Sequence, residues 1–376
     1  MTLLFIIFAL LSYYYLIFII NVVKGIRVVK NEIAENENNE FISVIIPFRN
    51  EENTILDNLA SLESQSISKD RYEVIYVDDN SNDNSVEILG NAIQSKNIFI
   101  IHSDAKTEKR AHKKLALQKA IRLAKGELII TTDADCVHGR DWLKTLSNMF
   151  DYKTAFVSGP VEFIDDESTF TKFQRLEFSG LILVGAGLIG LKKPLICNAA
   201  NLGFRKSVYE MVGGYDDNLN LSSGDDEFLM QKISRETSLQ IKFCFDRSAM
   251  SYTKPNSTLS EFFNQRKRWA SKSFYYVKKS TTFALTLIYL FYLGLLVQLI
   301  LGIFYSDLFF LSLGFSLMLK FVTEYQVVQI ESEELFSKVN AKLFLLAEFF
   351  QIPYIIISGI SGLFGNYKWK GRKIKR

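Results

Sequence analysis

F-I-S-V-I-I-P-F-R-N-E-E, Phe41 to Glu52, is an apolar run that reaches a proline and then turns abruptly polar. Two later stretches share its shape: Y-E-V-I-Y-V-D-D-N-S-N-D, Tyr72 to Asp83, and E-L-I-I-T-T-D-A-D-C, Glu127 to Cys136. In all three, a short run rich in β-branched residues is followed directly by polar and acidic ones. Near-continuous hydrophobicity of this kind predicts strands buried on both faces. Strands are expected at Phe41–Pro47, Tyr72–Val77, Asn97–His102 and Glu127–Thr131, with helical patterns at Glu52–Ser64, Asn84–Gln94 and Lys113–Lys125 between them. That alternation predicts an α/β fold with a mostly parallel, Rossmann-like sheet flanked by helices and joined by right-handed crossovers. Such sheets bind ligands beyond the carboxyl ends of their strands. Pro47–Glu52, Asp78–Asp83 and Asp133–Cys136 fall at those ends.

Outward from this core the chain becomes greasy. The 376 residues are 48% hydrophobic, with 31 Phe and 17 Tyr, yet 23% are charged. Both figures hold only because charge and apolar residues are segregated. Thr2–Val23 is an uncharged run long enough to span a bilayer, followed at once by Lys24, Arg27 and Lys30. It lacks a basic leader and a small-residue cleavage site, so a retained anchor is expected, its C-terminal end cytoplasmic. Further spans are expected at Thr282–Phe304 and Leu308–Val322. A fourth stretch, Leu343–Phe364, is interrupted by Glu348, Gln351 and Pro353. Counting it as a span puts the basic tail Lys368–Arg376 outside, against the positive-inside rule. A re-entrant or interfacial hairpin broken at Pro353 is expected instead. The expected organisation is an anchor (1–23), a polar linker (24–40), an α/β catalytic domain (41–252), an amphipathic juxtamembrane segment (253–281), a membrane region (282–366) and a basic tail (367–376). A net charge of +3 gives no ground for a nucleic-acid partner. Cys136, Cys197 and Cys244 show no C-x-x-C spacing and cannot pair completely, which fits a reducing compartment.

The chemistry starts at Asp133-Ala134-Asp135. Two carboxylates two residues apart at a strand end can both face the crevice and hold Mg²⁺ or Mn²⁺ through hard oxygen; a lone Asp-x-Asp is otherwise a solvated turn. His138 nearby is expected to be structural, since hard cations prefer oxygen. No G-x-G-x-x-G or Walker A loop is present, which disfavours dinucleotide dehydrogenases and P-loop enzymes. Downstream, Asp225-Asp226-Glu227 reads either as acidic capping of a helix or as a source of a general base. Arg268 suits bidentate phosphate contact and Trp269 offers a flat apolar face. The surrounding basic residues equally fit a juxtamembrane anchor.

Six segments together resemble the membrane-bound family 2 glycosyltransferases, inverting enzymes with a GT-A fold. They are SVIIPFRNEE (Ser43–Glu52), VDDNSND (Val77–Asp83), TTDADC (Thr131–Cys136), NAANLGFRK (Asn198–Lys206), SGDDEFL (Ser223–Leu229) and QRKRW (Gln265–Trp269). The resemblance implies a donor pocket made by Pro47, Glu51 and Asp79, with Asp79 on the base or ribose. It implies a diphosphate-side lysine at Lys113 or its neighbour Lys114, and a metal motif in which Asp135 is the direct ligand and Asp133 lies nearer the ribose. It implies Asp226 as general base, with Asp225 where the family writes Glu. Asn198, Asn201, Arg205, Asp225, Gln265, Arg268 and Trp269 then fall on the acceptor side. The implied partners are a nucleotide-sugar donor, UDP-linked by family habit with GDP open, and a membrane-associated lipid or lipid-linked glycan. A small processive synthase and a non-catalytic membrane scaffold are the competing readings.

Overall fold

The computed structural model describes all residues except 33–36, 104–111, 220–223, 273–274, 277, 332, 338–339, 364–366, 370–371 and 375–376. Ser223 of the S-G-D-D-E-F-L segment, and parts of the expected linker, juxtamembrane segment, membrane region and basic tail, thus lie outside the described residues.

The four expected strands form within one or two residues of expectation: β1 (Ile42–Phe48), β2 (Tyr72–Asp78), β3 (Ile98–His102) and β4 (Leu128–Thr131). Two short strands, β5 (Val137–His138) and β7 (Val161–Phe163), flank β6 (Thr154–Ser158); then follow β8 (Leu202–Arg205), β9 (Gln240–Phe243) and β10 (Ser251–Thr253). The main sheet runs β3-β2-β1-β4-β8-β6-β9. Only β8 is antiparallel to its neighbours, so the other six strands point their carboxyl ends at one edge. A small second sheet, β5-β10-β7, stands beside that edge.

Alternation along the strands splits the core into two layers. Ile42, Val44, Ile46 and Phe48 of β1 face one layer with α2 (Ile55–Glu63), α3 (Ser85–Ala92) and α5 (Trp142–Asn148). Ile45 faces the other, with α4 (His112–Leu123), α6 (Thr169–Gly190) and the end of α1 (Thr2–Lys30). The remaining helices are α7 (Lys206–Met211), α8 (Glu227–Glu236), α9 (Leu259–Ala270), α10 (Lys279–Phe304), α11 (Leu308–Tyr325) and α12 (Ala341–Leu363). A hairpin of β11 (Tyr367–Trp369) and β12 (Arg372–Ile374) closes the chain.

Among the described residues, α1, α6, α10, α11 and a segment of α12 are long and apolar enough to cross a membrane. Three features depart from expectation. First, α1 does not stop at Val23 but continues as helix to Lys30, so the expected linker begins helical. Its last turns carry Val22, Val23, Ile26 and Val29, all buried in the core layer that also holds α4 and α6. Arg27 and Lys30, expected only as flanking charge, both pair with Glu331. Second, α6 is an apolar helix with no counterpart in the sequence reading. It is covered mainly by α1, and the crossing is close: a Cβ on Gly25 would overlap the carbonyl oxygen of Gly187, and one on Gly190 that of Gly25. Small residues allow such backbone approach. Third, the expected break at Pro353 is absent. α12 is one continuous helix with Pro353 inside it.

Candidate active site

The loops leaving β1 and β2 are fastened to each other. Asn50 and Asn80 adopt left-handed conformations, φ 52° and 56°, which Asn tolerates better than most residues. Arg49 Nη1 donates to the carbonyls of Asp79 (2.7 Å) and Asn80 (2.6 Å). The Glu51 amide donates to Ser85 Oγ at 2.7 Å, and the Glu52 amide to Asp83 Oδ2 at 3.1 Å. This stitching holds Pro47, Glu51 and Asp79 on one wall of a cleft of about 1140 Å³. Asp79 is nearly buried, with His112 Nδ1 3.7 Å from its Oδ1.

Asp133 and Asp135 line the same cleft beyond the end of β4. Lys113, from the first turn of α4, lies 2.7 Å from Asp133 Oδ1 and 3.2 Å from Asp225 Oδ2. Burial alone would depress the Lys113 pKa, but the carboxylates of Asp133 and Asp225 hold it above the ordinary lysine value. Asp225, which burial would raise, is held below the ordinary carboxylate range by Lys113 and Lys114. Of the two lysines, Lys113 lines the cleft. Lys114 instead lies against the Phe228 ring, and burial pushes its pKa down to about 8.

The second sheet sets Thr253 beside the Asp133-Ala134-Asp135 turn, its Oγ1 donating to Asp135 Oδ2 at 3.3 Å. Among the described residues, no three His, Cys, Asp or Glu side chains cluster as a closed metal cage. The site is open: the Asp133 side chain is 36% exposed to the cleft. Two hard-oxygen ligands with room for phosphate and water fit Mg²⁺ or Mn²⁺. His138 is outside this chemistry. It stacks on Trp142 at 3.8 Å, and burial lowers its pKa to about 3.

Asp226 is the N-cap of α8, its Oδ1 accepting from the Glu227 amide at 2.7 Å. Its Oδ2 accepts from the Ala199 amide at 3.1 Å, which ties it to the loop before β8. Lys272, three residues beyond Trp269, stands 3.8 Å from Asp226 Oδ1 and 3.1 Å from Glu227 Oε1. The Tyr276 hydroxyl donates to Glu227 Oε2 at 2.8 Å. Burial raises the Glu227 pKa although Lys272 opposes it. Sequence reasoning missed Lys272, Glu227 and Tyr276 as a connected set; spacing gives no sign of it.

The facing wall is α9, started by a capping box between Thr258 and Glu261. Gln265, Arg268 and Trp269 line the cleft, whereas Arg266 points away from it and is nearly buried. Arg266 lies between the rings of Phe262 (4.3 Å) and Trp269 (4.4 Å) and forks onto Glu177 of α6. The Tyr354 hydroxyl of α12 donates to the same carboxylate at 2.9 Å. Phe178, Leu181 and Ile182 of α6 and Leu285 of α10 make the remaining wall apolar.

Two expected acceptor residues are elsewhere. Asn201 is buried beneath the cleft, donating to the carbonyls of Pro160 (2.6 Å) and Ala249 (2.7 Å) and accepting from Trp142 Nε1 at 3.0 Å. Arg205 sits at the far end of β8, bound to Glu40 Oε2 (2.8 Å) and the carbonyls of Thr154 (3.0 Å) and Asp151 (2.9 Å). Every arm of that guanidinium already has an acceptor, so Arg205 holds the sheet's edge. From the same segment, Asn198, Ala199 and Ala200 do line the cleft.

Residues 43–213 match the family model described as Glycosyl transferase family 2. Over 243 residues the chain is 28% identical to the probable glycosyltransferase YdaM of Bacillus subtilis (strain 168), covering 63% of this chain and 56% of that one. Over 195 residues it is 29% identical to glycosyltransferase AglE of Haloferax volcanii, covering 49% of this chain and 59% of the relative. The chain thus spans less than two thirds of the curated relatives it matches. In fold it is similar to the mannosyltransferase PcManGT from Pyrobaculum calidifontis, solved in complex with GDP-Man and Mn²⁺. That likeness has a TM-score of 0.65 over 96% of this chain and 99% of that one, at 16% identity.

Proposed function

We propose that the chain, whose residues 43–213 match the Glycosyl transferase family 2 model, is an inverting glycosyltransferase moving one sugar from a nucleoside diphosphate donor to a membrane-associated acceptor. The observation that carries this reading is convergence. Asp79 after β2, Asp133 and Asp135 after β4, Asp226 at the start of α8 and the Gln265/Arg268/Trp269 face of α9 all line one cleft. A scattered acidic surface would not give that arrangement.

In the proposed reaction, Asp79 and Glu51 receive the nucleoside and Lys113 the diphosphate side. The acceptor hydroxyl attacks the anomeric carbon from the face opposite the leaving group. A new carbon–oxygen bond forms as the bond to the diphosphate breaks, its electron pair leaving with the nucleotide, and the configuration inverts. Asp226 takes the hydroxyl proton, its carboxylate aimed by the Ala199 and Glu227 amides. A Mg²⁺ or Mn²⁺ ion held by Asp135 with Asp133 would offset charge on the departing diphosphate. Arg268 and Trp269 would hold the acceptor's polar end, and the apolar wall of α6 and Leu285 supports an amphiphilic one. We place α1, α10 and α11 across a bilayer with the domain on the cytoplasmic side, from the Lys24, Arg27 and Lys30 flank and three buried free cysteines.

The test is incubation of membranes containing the protein with labelled UDP- and GDP-sugars, followed by lipid extraction. Label should enter the lipid fraction with wild type and fall by about 10³-fold with Asp226→Asn, with Mn²⁺-dependent nucleotide binding retained. Wild-type protein that binds nucleotide and never turns over would leave the scaffold reading standing.

A further inference from the structure

We propose that α12 does not cross the bilayer but lies along its domain-side surface, one face set among the lipid chains, so that the basic tail stays on the side of the catalytic domain. The proposal rests on the membrane reading of α1, α10 and α11 and not on the chemistry of the cleft.

Orientation follows from fixed points. The far side of the bundle is marked by Phe309, at the start of α11, stacked 4.7 Å from Phe5 near the beginning of α1. The domain side is marked by the pairing of Arg27 with Glu331, just after α11. At one end of α12, Phe344 packs on Tyr325, the last residue of α11, at 5.3 Å. At the other, Gly362 abuts Ala270, the last residue of α9 and part of the cleft wall. Residues 344 and 362 are about 27 Å apart along a helix, nearly a bilayer core's thickness. Both ends nevertheless meet domain-side elements. A helix standing upright cannot do that; one lying along the surface can.

Intermediate contacts trace the same path. Glu348 pairs with Lys320, and Gln351 accepts from its Nζ at 2.6 Å. The carbonyl of Ile356 accepts from the Tyr289 hydroxyl of α10 at 3.2 Å, and Tyr354 reaches Glu177. α12 therefore steps sideways from α11 past α10 to α6 and α9.

The opposite face is apolar and open. Leu345, Leu346, Phe349, Phe350, Ile357 and Ile360 are each 46–63% exposed and recur at helical spacing. Pro353 falls on the same exposed stripe. Phe349 meets Phe321 of α11 at 5.2 Å, and α10 and α11 carry exposed apolar side chains of their own, so the occupant of this face is the bilayer. The β11–β12 hairpin, which packs against α9, then stays with the basic tail on the side of the catalytic domain, in keeping with the distribution of basic residues in membrane proteins.

Single cysteines at Asp307, Arg372 and exposed Tyr152 would be labelled with a membrane-impermeant maleimide in sealed inverted and right-side-out vesicles. The three native cysteines are buried. Arg372→Cys should label with Tyr152→Cys, and Asp307→Cys from the opposite side. Arg372→Cys labelling with Asp307→Cys would overturn the proposal. Independently, a fluorophore at Leu346→Cys or Ile360→Cys should be quenched equally by shallow brominated lipid. A depth gradient between them of bilayer scale would also overturn it. Asp307→Cys and Tyr152→Cys labelling from one side would instead refute the membrane reading itself. None of these measurements requires an active enzyme.

Discussion

Lys113 joins the two acidic centres of the cleft, and its behaviour with pH is set by its partners. Asp225 is held below its ordinary pKa, so its contribution is full above about pH 4 and fades as pH falls through its native value. Lys113 is held above its ordinary pKa, so its contribution is full below about pH 10 and fades only beyond. Lys113→Met should therefore lower stability by about 3 kcal/mol. The gap in Tm from wild type should stay level from about pH 5 to 9 and close in stronger acid. A gap that widened on acidification would contradict the ion-pair account. The Asn198–Lys206 segment shows how far such residue roles are legible in sequence. The motif marked the right loop, but Asn198 lines the cleft while Asn201 turns down into the core and Arg205 sits at the other end of β8. A linear pattern names a neighbourhood; the turn before β8 decides which side chains face the ligand.

At the scale of elements, the crossing of α1 and α6 leaves no space for a methyl group. Gly187→Ala would press a Cβ into the backbone of Val22 and should cost about 3 kcal/mol by overpacking. Gly314→Ala, in a helix of similar character but with nothing within 4 Å of an added Cβ, should not destabilise and should add up to about 1 kcal/mol through helix propensity. Comparing thermal unfolding of the two in detergent checks this; equal effects would mean the crossing is looser than it looks. The strands were legible because burial on both faces writes an unbroken apolar run. The burial of α6 was not, because hydropathy registers that a helix is covered without saying whether lipid or protein covers it. The same ambiguity made the end of α1 read as linker, since Lys24, Arg27 and Lys30 mask the buried Ile26 and Val29.

For the whole molecule, the division between membrane part and catalytic part is weaker than the charge pattern suggests. One buried cluster runs from Tyr15 and Phe291 through Val22 and Ile26 to Ile45 and Phe156 of the sheet. One wall of the cleft hangs on strand ends, while the facing wall hangs on α6 and α9, which α1 and α12 brace. The first helix therefore serves the sheet as a lid serves a box. Cutting away residues 1–30 to obtain a soluble fragment would lay bare Leu183, Ala186 and Ile189 on α6. Such a fragment should bind a hydrophobic dye strongly and elute as aggregate in gel filtration, even though every acidic cleft residue is retained. A monodisperse truncated protein that still binds nucleotide would show that the sheet can keep its shape uncovered.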